Sequence, residues 1–393
     1  MGDQNDFVGS SKSLCYVCIG EHYLRSIVKA KYSEGQCSYC SEVNPMIPLE
    51  ELVDRVELSF QEHFKRTSSE PNSMQYAMLK DKESTYDWER EGQKSIYAIM
   101  DAAEISETVA KDIQEVLSER HFDFDSAALG DEAEFSDEAH YEEIMPGDEE
   151  WQMGWSDFEK TIKSESRFFS RKAADQLCKI FESIDEMATA RGDSPIVNAG
   201  PNTEYTHLYR ARVFQSDQML KRAMARPDKE LAAPPSLKAA GGRMNATGIS
   251  TFYGATKLST ALAEVRPPVG SQIASARFKI TRPLRLLDLA SLADILEVGS
   301  IFDPDFAYRI GRAKFLRRLC RLIERPIMPD DQSSEYLVTQ AIADFLATEA
   351  QTQLDGILYS SAQVSEDGLN AILFHKASRC CLLYTSPSPR DRG

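Results

Sequence analysis

The sequence predicts an α+β protein in three successive parts: a short cysteine knuckle, a helical domain, and a domain that mixes strands with helices. Three observations predict this. Four of the eight cysteines form two Cys-x-x-Cys pairs before residue 41. From Pro48 to Ile184, apolar residues recur mainly at helical spacing. From Thr206 on, short β-type runs alternate with amphipathic stretches, the pattern of an α+β domain. The expected boundaries are 1–45 for the knuckle, 46–188 for the helical domain, 189–204 for a linker and 205–379 for the α+β domain, with 380–393 set apart. A chain of 393 residues is long enough for two or three domains.

The knuckle comes first. Cys15-x-x-Cys18 and Cys37-x-x-Cys40 are separated by 18 residues. Each pair can put two thiolates on one face of a tight turn, and four thiolates complete a tetrahedral Zn²⁺ site with no open position for catalysis. The competing readings are two disulfides, which oxidising compartments favour, or four free thiols. His22 begins a short helical run and is a possible rival ligand, although four cysteines already suffice. Cys178 and Cys320 stand alone in helical patterns and read as buried small apolar residues.

In the helical part, Leu49, Leu52, Val53, Val56 and Phe60 share one face of a helix that Pro48 opens. The stretch Tyr97–Leu117 continues in that style through Ile99, Ile105, Val109, Ile113 and Val116. Phe122–Asp148 is dominated by Asp and Glu and reads as an acidic loop or solvated surface. Trp151–Ile184 is helical again, with Trp155, Phe158, Phe168 and Phe169 as anchors. Thr189–Thr203 has the Gly, Pro, Asn and Asp content of a linker.

Charge is unevenly placed. Before residue 201 the chain has 20 Lys+Arg against 42 Asp+Glu; from 201 to 379 it has 23 against 19. The acidic front half would repel phosphates, which argues against nucleic acid as its partner. No apolar run reaches the roughly 18 residues of a membrane span, and the first residues have no secretory pattern, so the expected location is cytoplasmic.

Four pieces of the last domain carry chemistry together. They are Tyr209-Arg210-Ala211-Arg212 on a β-run; Gly242-Arg243-Met244-Asn245-x-x-Gly248 leading to Phe252-Tyr253-Gly254-Ala255; Thr260-x-x-x-Glu264 on a helix that Pro267 stops; and Tyr359-Ser360-Ser361 on a late strand. Taken singly, each has an ordinary reading: a solvated glutamate, a half-buried tyrosine, an edge arginine, a serine with Ser360 beside it as a rival. Their order and spacing resemble the RES family, named for its Arg, Glu and Ser, over Tyr205–Phe374. The resemblance maps those residues to Arg210, Glu264 and Ser361. The front half is similar to the helical domain, a relative of the HEPN fold, that often precedes a RES domain. Active HEPN nucleases carry an Arg, then four to six intervening residues, then a His, and neither His63 nor His121 has an Arg at that distance.

The resemblance implies a fold like the ADP-ribosyltransferases and an enzyme that destroys NAD at the nicotinamide–ribose bond by phosphorolysis or hydrolysis, acting as a bacterial toxin or defence effector. The implied site is Arg210, Tyr253, Glu264 and Ser361, with Arg210, Arg243 and Gly254 contacting NAD. The residue types suit that chemistry. An arginine fork matches pyrophosphate. A carboxylate steadies the positive charge that builds on ribose as a glycosidic bond breaks. Tyr253 offers a flat face, Ser361 a hydroxyl, and Gly254 and Gly248 allow close backbone approach. Expected partners are NAD, inorganic phosphate, a small antitoxin and a second copy of the chain. Two other functions stay open: a mono-ADP-ribosyltransferase, and a non-catalytic interaction protein built on the knuckle and helices. The polar stretch Arg222–Ala240 reads as a lid or an insertion. Finally, Cys381–Asp391 reads as an in-frame translation of a sequencing-library transposase adapter, so 380–393 and its two cysteines stand outside the functional reading.

Overall fold

The computed structural model describes residues 12–125, 130, 132–325, 327–361 and 368–381. The chain divides into two compact units, 1–147 with 298–310, and 148–297 with 311–393.

In the first unit, β1 (Ser13–Cys15), β2 (Glu34–Gln36) and β3 (Val43–Pro48) form an antiparallel sheet in the order β1-β3-β2. Between the first two strands runs a helix, His22–Lys31, capped by Glu21, whose carboxylate accepts from Leu24 N at 2.7 Å. The Leu49–His63 helix starts after Pro48 with Glu50 and Glu51 in its first turn, where carboxylates complement the helix dipole. Leu49, Leu52, Val53, Val56 and Phe60 are all buried, as their spacing requires. The Tyr97–Leu117 stretch is helical as expected and falls into two helices. Ser95–Ala103 ends at Glu104 in the left-handed region (φ 50°), and Glu107–Arg120 starts afresh, with Val109, Ile113 and Leu117 inward.

The acidic stretch holds more structure than its composition suggested. Phe135, Ala139 and Tyr141 are buried there, and Phe60, Phe135 and Tyr141 pack ring on ring with centroids 5.1–5.5 Å apart. The strand His140–Glu143 (β6) pairs with Phe64–Arg66 (β4) and Gln93–Lys94 (β5) in a second small sheet. A few apolar residues suffice when each lands on the core. His63 is also buried, stacked on Phe306 at 5.7 Å, and burial lowers its pKa below the usual imidazole range.

The second unit is organised by a seven-stranded mixed sheet. Its strands are β7 (Ile196–Ala199), β8 (His207–Phe214), β9 (Phe252–Ala255), β10 (Gln272–Lys279), β11 (Leu284–Asp288), β12 (Gly356–Ser360) and β13 (Leu369–Leu373). Their order is β10-β8-β9-β13-β12-β11-β7, and only β11 and β12 run parallel. Leu287, Ile357 and Ile372 belong to a core shared with Trp151, Trp155, Phe158, Leu177, Phe315, Leu319, Ile342 and Phe345 from the helices. Leu208, Phe252, Leu286, Leu358 and Ala371 form a separate apolar cluster, as the alternation of side chains along a strand demands.

Several expectations change here. The helices Glu149–Lys160 and Arg171–Phe181 pack into this second core, so the contact boundary falls at 147/148 rather than 188. Phe168 and Phe169 are not anchors: they are 86% and 95% exposed. A wide π-type turn, Thr161–Glu165, ends the first helix and leaves both rings on the connection before Ser170 caps the next. Cys178 is exposed, one position off the inward face marked by Ala173, Leu177 and Ile180, whereas Cys320 is buried as expected. The stretch read as a linker contributes β7, paired to β11 through Ala199↔Leu284. Arg222–Ala240 is not a loose loop. Helices Asp217–Ala225 and Pro227–Glu230 occupy its first part, Leu231, Ala232 and Ala239 are buried, and Arg212 Nη1 donates to Glu230 O at 2.9 Å. The adapter-like run lies outside the described residues from 382 on.

Candidate active-site cleft and cysteine cluster

The cleft lies where four strands line up. Register places Tyr359 opposite Asn370, Asn370 opposite Ala255, and Ala255 opposite Tyr209, one row across β12, β13, β9 and β8. Arg210 follows in β8, opposite Ala276 of β10, whose methyl leaves room for the longer side chain. After β9 the chain turns into the Leu258–Glu264 helix, which crosses back over this end of the sheet. Its close approach is set by glycine: a Cβ on Gly368 would sit 1.9 Å from Thr260 Oγ1. The resulting cleft of about 200 Å³ is lined by Arg210, Tyr253, Gly254, Glu264, Tyr359 and Asn370, among others.

Four of the expected residues, Arg210, Tyr253, Gly254 and Glu264, therefore line one cleft, and a fifth, Ser361, bonds to Glu264. Arg210 lies over the Phe252 ring at 5.4 Å, and its Nη1 is buried without a hydrogen-bond partner. Burial and then the neighbouring Arg212 push its pKa down, the signature of a guanidinium lacking a carboxylate. Glu264 is held through one oxygen: Oε1 accepts from Ser361 Oγ at 2.6 Å and from Asn370 Nδ2 at 2.9 Å. Among the described residues both hydrogen bonds to Glu264 fall on Oε1, and none falls on Oε2. Ser361 is buried just past β12, while Ser360 is exposed and its amide donates to Glu324 Oε1 at 3.3 Å. Gly254 lines the cleft and has no space for a side chain, since a Cβ would meet Phe252 at 2.6 Å and Tyr209 O at 3.0 Å.

Two expected roles shift. The Tyr253 hydroxyl donates to Asn245 Oδ1 at 2.7 Å and accepts from Met244 N at 3.1 Å, so it clamps the Gly242–Asn245 loop. Burial pushes this phenol up to about 12, and its ring is what it offers the cleft. Arg243 does not line the cleft. Its guanidinium donates to Ile323 O and, at 3.0 Å, to Arg325 O near the end of the Phe306–Glu324 helix, so it ties the loop to that helix. Gly248 has φ +90° with open space around it, a turn requirement rather than a close approach. Conversely, Asn370 lines the cleft without having been read from the sequence, and Tyr359, which the sequence offered only as the strand tyrosine before Ser361, lines it too. Burial, then the charge of Glu264, holds the Tyr359 phenol above its usual pKa. A polar residue in the middle of an apolar strand, as in Leu369-Asn370-Ala371-Ile372-Leu373, was the one available signal for Asn370.

In the first unit, the four cysteines converge. Cys15 ends β1, Cys18 ends the 3-10 turn that follows, and Cys37 and Cys40 occupy the connection between β2 and β3. The sulfurs of Cys15 and Cys18 are 3.7 Å apart, those of Cys15 and Cys40 3.5 Å, and all four lie within 4.8 Å of one another. A tetrahedron with bonds of about 2.3 Å has edges of about 3.8 Å, so the donor set fits Zn²⁺, whereas a disulfide would need about 2.05 Å. Burial opposes ionisation of Cys37, but backbone N–H groups donate to its sulfur, from Cys15 at 3.3 Å and Tyr39 at 3.5 Å, and bring the thiol down to about 7. His22 is exposed and stands apart from this cluster. Tyr39 also donates to Asp112 Oδ2 at 2.6 Å, which fastens the knuckle to the Glu107–Arg120 helix.

Fold and site together define a class: a mixed α+β domain with a polar cleft at one end of its sheet, preceded by a cysteine-knuckled helical unit. Family comparison gives it a name. The RES domain matches residues 211–391, and the HEPN/RES N-terminal domain 1 matches residues 30–176. The chain thus carries a RES domain behind a HEPN/RES N-terminal domain, and RES domains are associated with NAD and with toxin–antitoxin systems. Comparison with curated proteins finds no match. No described helix is long and apolar enough to cross a membrane.

Proposed function

We propose that the cleft binds NAD and breaks its nicotinamide–ribose bond, with phosphate or water as acceptor, and that the protein acts as a toxin or defence effector. The observation that carries this reading is that one cleft is lined both by Arg210, whose buried Nη1 has no hydrogen-bond partner, and by Glu264, a carboxylate already oriented by two donors. A buried charge without a counter-ion is costly, and an anionic ligand removes that cost. The pyrophosphate of NAD supplies the anion for Arg210. Glu264 then faces the ribose, where positive charge builds as C1′–N cleaves. The bonding pair leaves with nicotinamide, which departs neutral. A phosphate oxygen, or water that loses a proton, bonds to C1′. Tyr253 and Tyr359 present aromatic surface to the cleft, and the Tyr253 clamp on Asn245 holds the cleft-side loop. The fold reading that accompanies this mechanism is ADP-ribosyltransferase-like.

The four cysteines would hold a structural Zn²⁺, and no step of the reaction runs through that site. A small antitoxin and self-association remain part of the proposal from the family resemblance. Product identification tests the reading: purified protein incubated with NAD should release nicotinamide together with ADP-ribose or, when phosphate is the acceptor, ADP-ribose 1″-phosphate. Intact NAD beside soluble, folded protein refutes it. Label transferred from NAD to a macromolecule would favour the mono-ADP-ribosyltransferase instead.

A further inference from the structure

Glu264 is held in place by a residue that none of the four motif pieces contains. Both donors to the carboxylate converge on Oε1, Ser361 Oγ at 2.6 Å and Asn370 Nδ2 at 2.9 Å, and leave Oε2 without a hydrogen bond among the described residues. Asn370 is buried, and its place in the row between Tyr359 and Ala255 gives the amide a rigid strand as its base. Glu264 itself is exposed, at the end of a seven-residue helix, so its side chain would sample several rotamers without these two bonds.

We propose that Asn370 is a positioning residue of the site. Together with Ser361 it saturates Oε1 and so leaves Oε2 as the oxygen for a bound ribose. This rests on the reading that NAD is cleaved here. The physical advantage is preorganisation. A carboxylate aimed before the substrate arrives needs no reorientation as charge develops. Ser361 acquires a defined part in this scheme, since its hydroxyl proton is directed at Glu264.

Asn370→Asp is the sharpest test. It keeps the shape, replaces the donor by an acceptor, and places a second negative charge beside Oε1. The other ionisable groups lining the cleft are Tyr209, Arg210, Tyr253 and Tyr359. With the full chain, kcat and KM for NAD are measured across pH for wild type, Asn370→Asp and Asn370→Ala, with melting temperature as a check on folding. Asn370→Asp should lower kcat about 100-fold, as misaimed catalytic groups do, and leave KM within about twofold. The acid limb of its kcat profile should move up by about one pH unit, because like charges disfavour ionisation. Asn370→Ala should lower kcat about tenfold with no such move. Folded Asn370→Ala with wild-type kcat would overturn the proposal, even if Asn370→Asp fails to fold. So would folded Asn370→Asp with an unmoved acid limb. An active wild type with indifferent variants overturns this inference alone, whereas a wild type that leaves NAD intact overturns the functional reading and this inference with it.

Discussion

The cysteine cluster and the cleft handle their polar groups in opposite ways. Around the cysteines, groups are matched within the unit. Backbone N–H groups donate to Cys37, Tyr39 donates to Asp112, and Lys12 pairs with the same carboxylate at 2.7 Å. In the cleft, two groups are left open: Nη1 of Arg210, and Oε2 of Glu264 among the described residues. A site that only holds a fold completes its own bonding, while a site that receives a ligand keeps part of its bonding unmade and bears the energetic cost until the ligand arrives. The same distinction separates two arginines: Arg243 is held by two backbone carbonyls, whereas Nη1 of Arg210 is buried without a partner.

The largest effect should come from the open carboxylate. Glu264→Gln should lower NAD turnover about 10³-fold, measured as nicotinamide release, with little change in melting temperature. Wild-type turnover in the folded variant would end the comparison, because the oriented carboxylate would then be idle. Next, removing the metal should act on the first unit. Chelation, or Cys37→Ser, should cost roughly 3 kcal/mol of stability, read from denaturant unfolding monitored in that unit, with zinc content assayed alongside. An unchanged unfolding curve together with absence of zinc would mean that the thiols stand free.

Arg210 sharpens the contrast because its two readouts should diverge. Arg210→Met should weaken NAD binding about 100-fold, as loss of a charged anchor does, yet leave the melting temperature equal or higher, since an uncompensated buried charge has been removed. A fall in both would assign Arg210 to structure. The smallest effect concerns Asp112. Burial raises its pKa, but the bonds from Lys12 and Tyr39 outweigh this and leave it below the usual carboxylate value. A depressed folded-state pKa stabilises above the unfolded value of about 3.9 and is lost as pH falls through the folded one. Wild-type stability should therefore drop below about pH 4, by about 1 kcal/mol more than in Asp112→Asn, followed by unfolding at several pH values.

Much of the molecule was legible from local pattern. The Leu49–His63 helix, the strands 207–214, 272–279 and 356–360, and the long helices 306–324 and 332–348 follow from apolar spacing, because each buries one regular face. Short segments were not. Ile196–Ala199 has only four residues in a turn-rich stretch and becomes a strand because Leu284–Asp288 is there to pair with it. Phe168 and Phe169 look like core by composition, and a single wide turn puts them in solvent. Asn370 has no motif around it; its role exists only because a helix from another part of the chain brings Glu264 within 2.9 Å.

By itself, then, the sequence determined the chemistry on offer: two cysteine pairs at ligand spacing, and an ordered Arg, Tyr, Glu and Ser set on strands and a helix. Those follow from residue identity and local periodicity, which a linear chain carries in full. Only the tertiary structure decided which arginine lines the cleft, that the Tyr253 hydroxyl is spent on Asn245, and that Asn370 joins Ser361 on one oxygen of Glu264. The reason is that hydrogen-bond satisfaction depends on distances of a few ångströms between residues about a hundred positions apart, and strand register sets those distances.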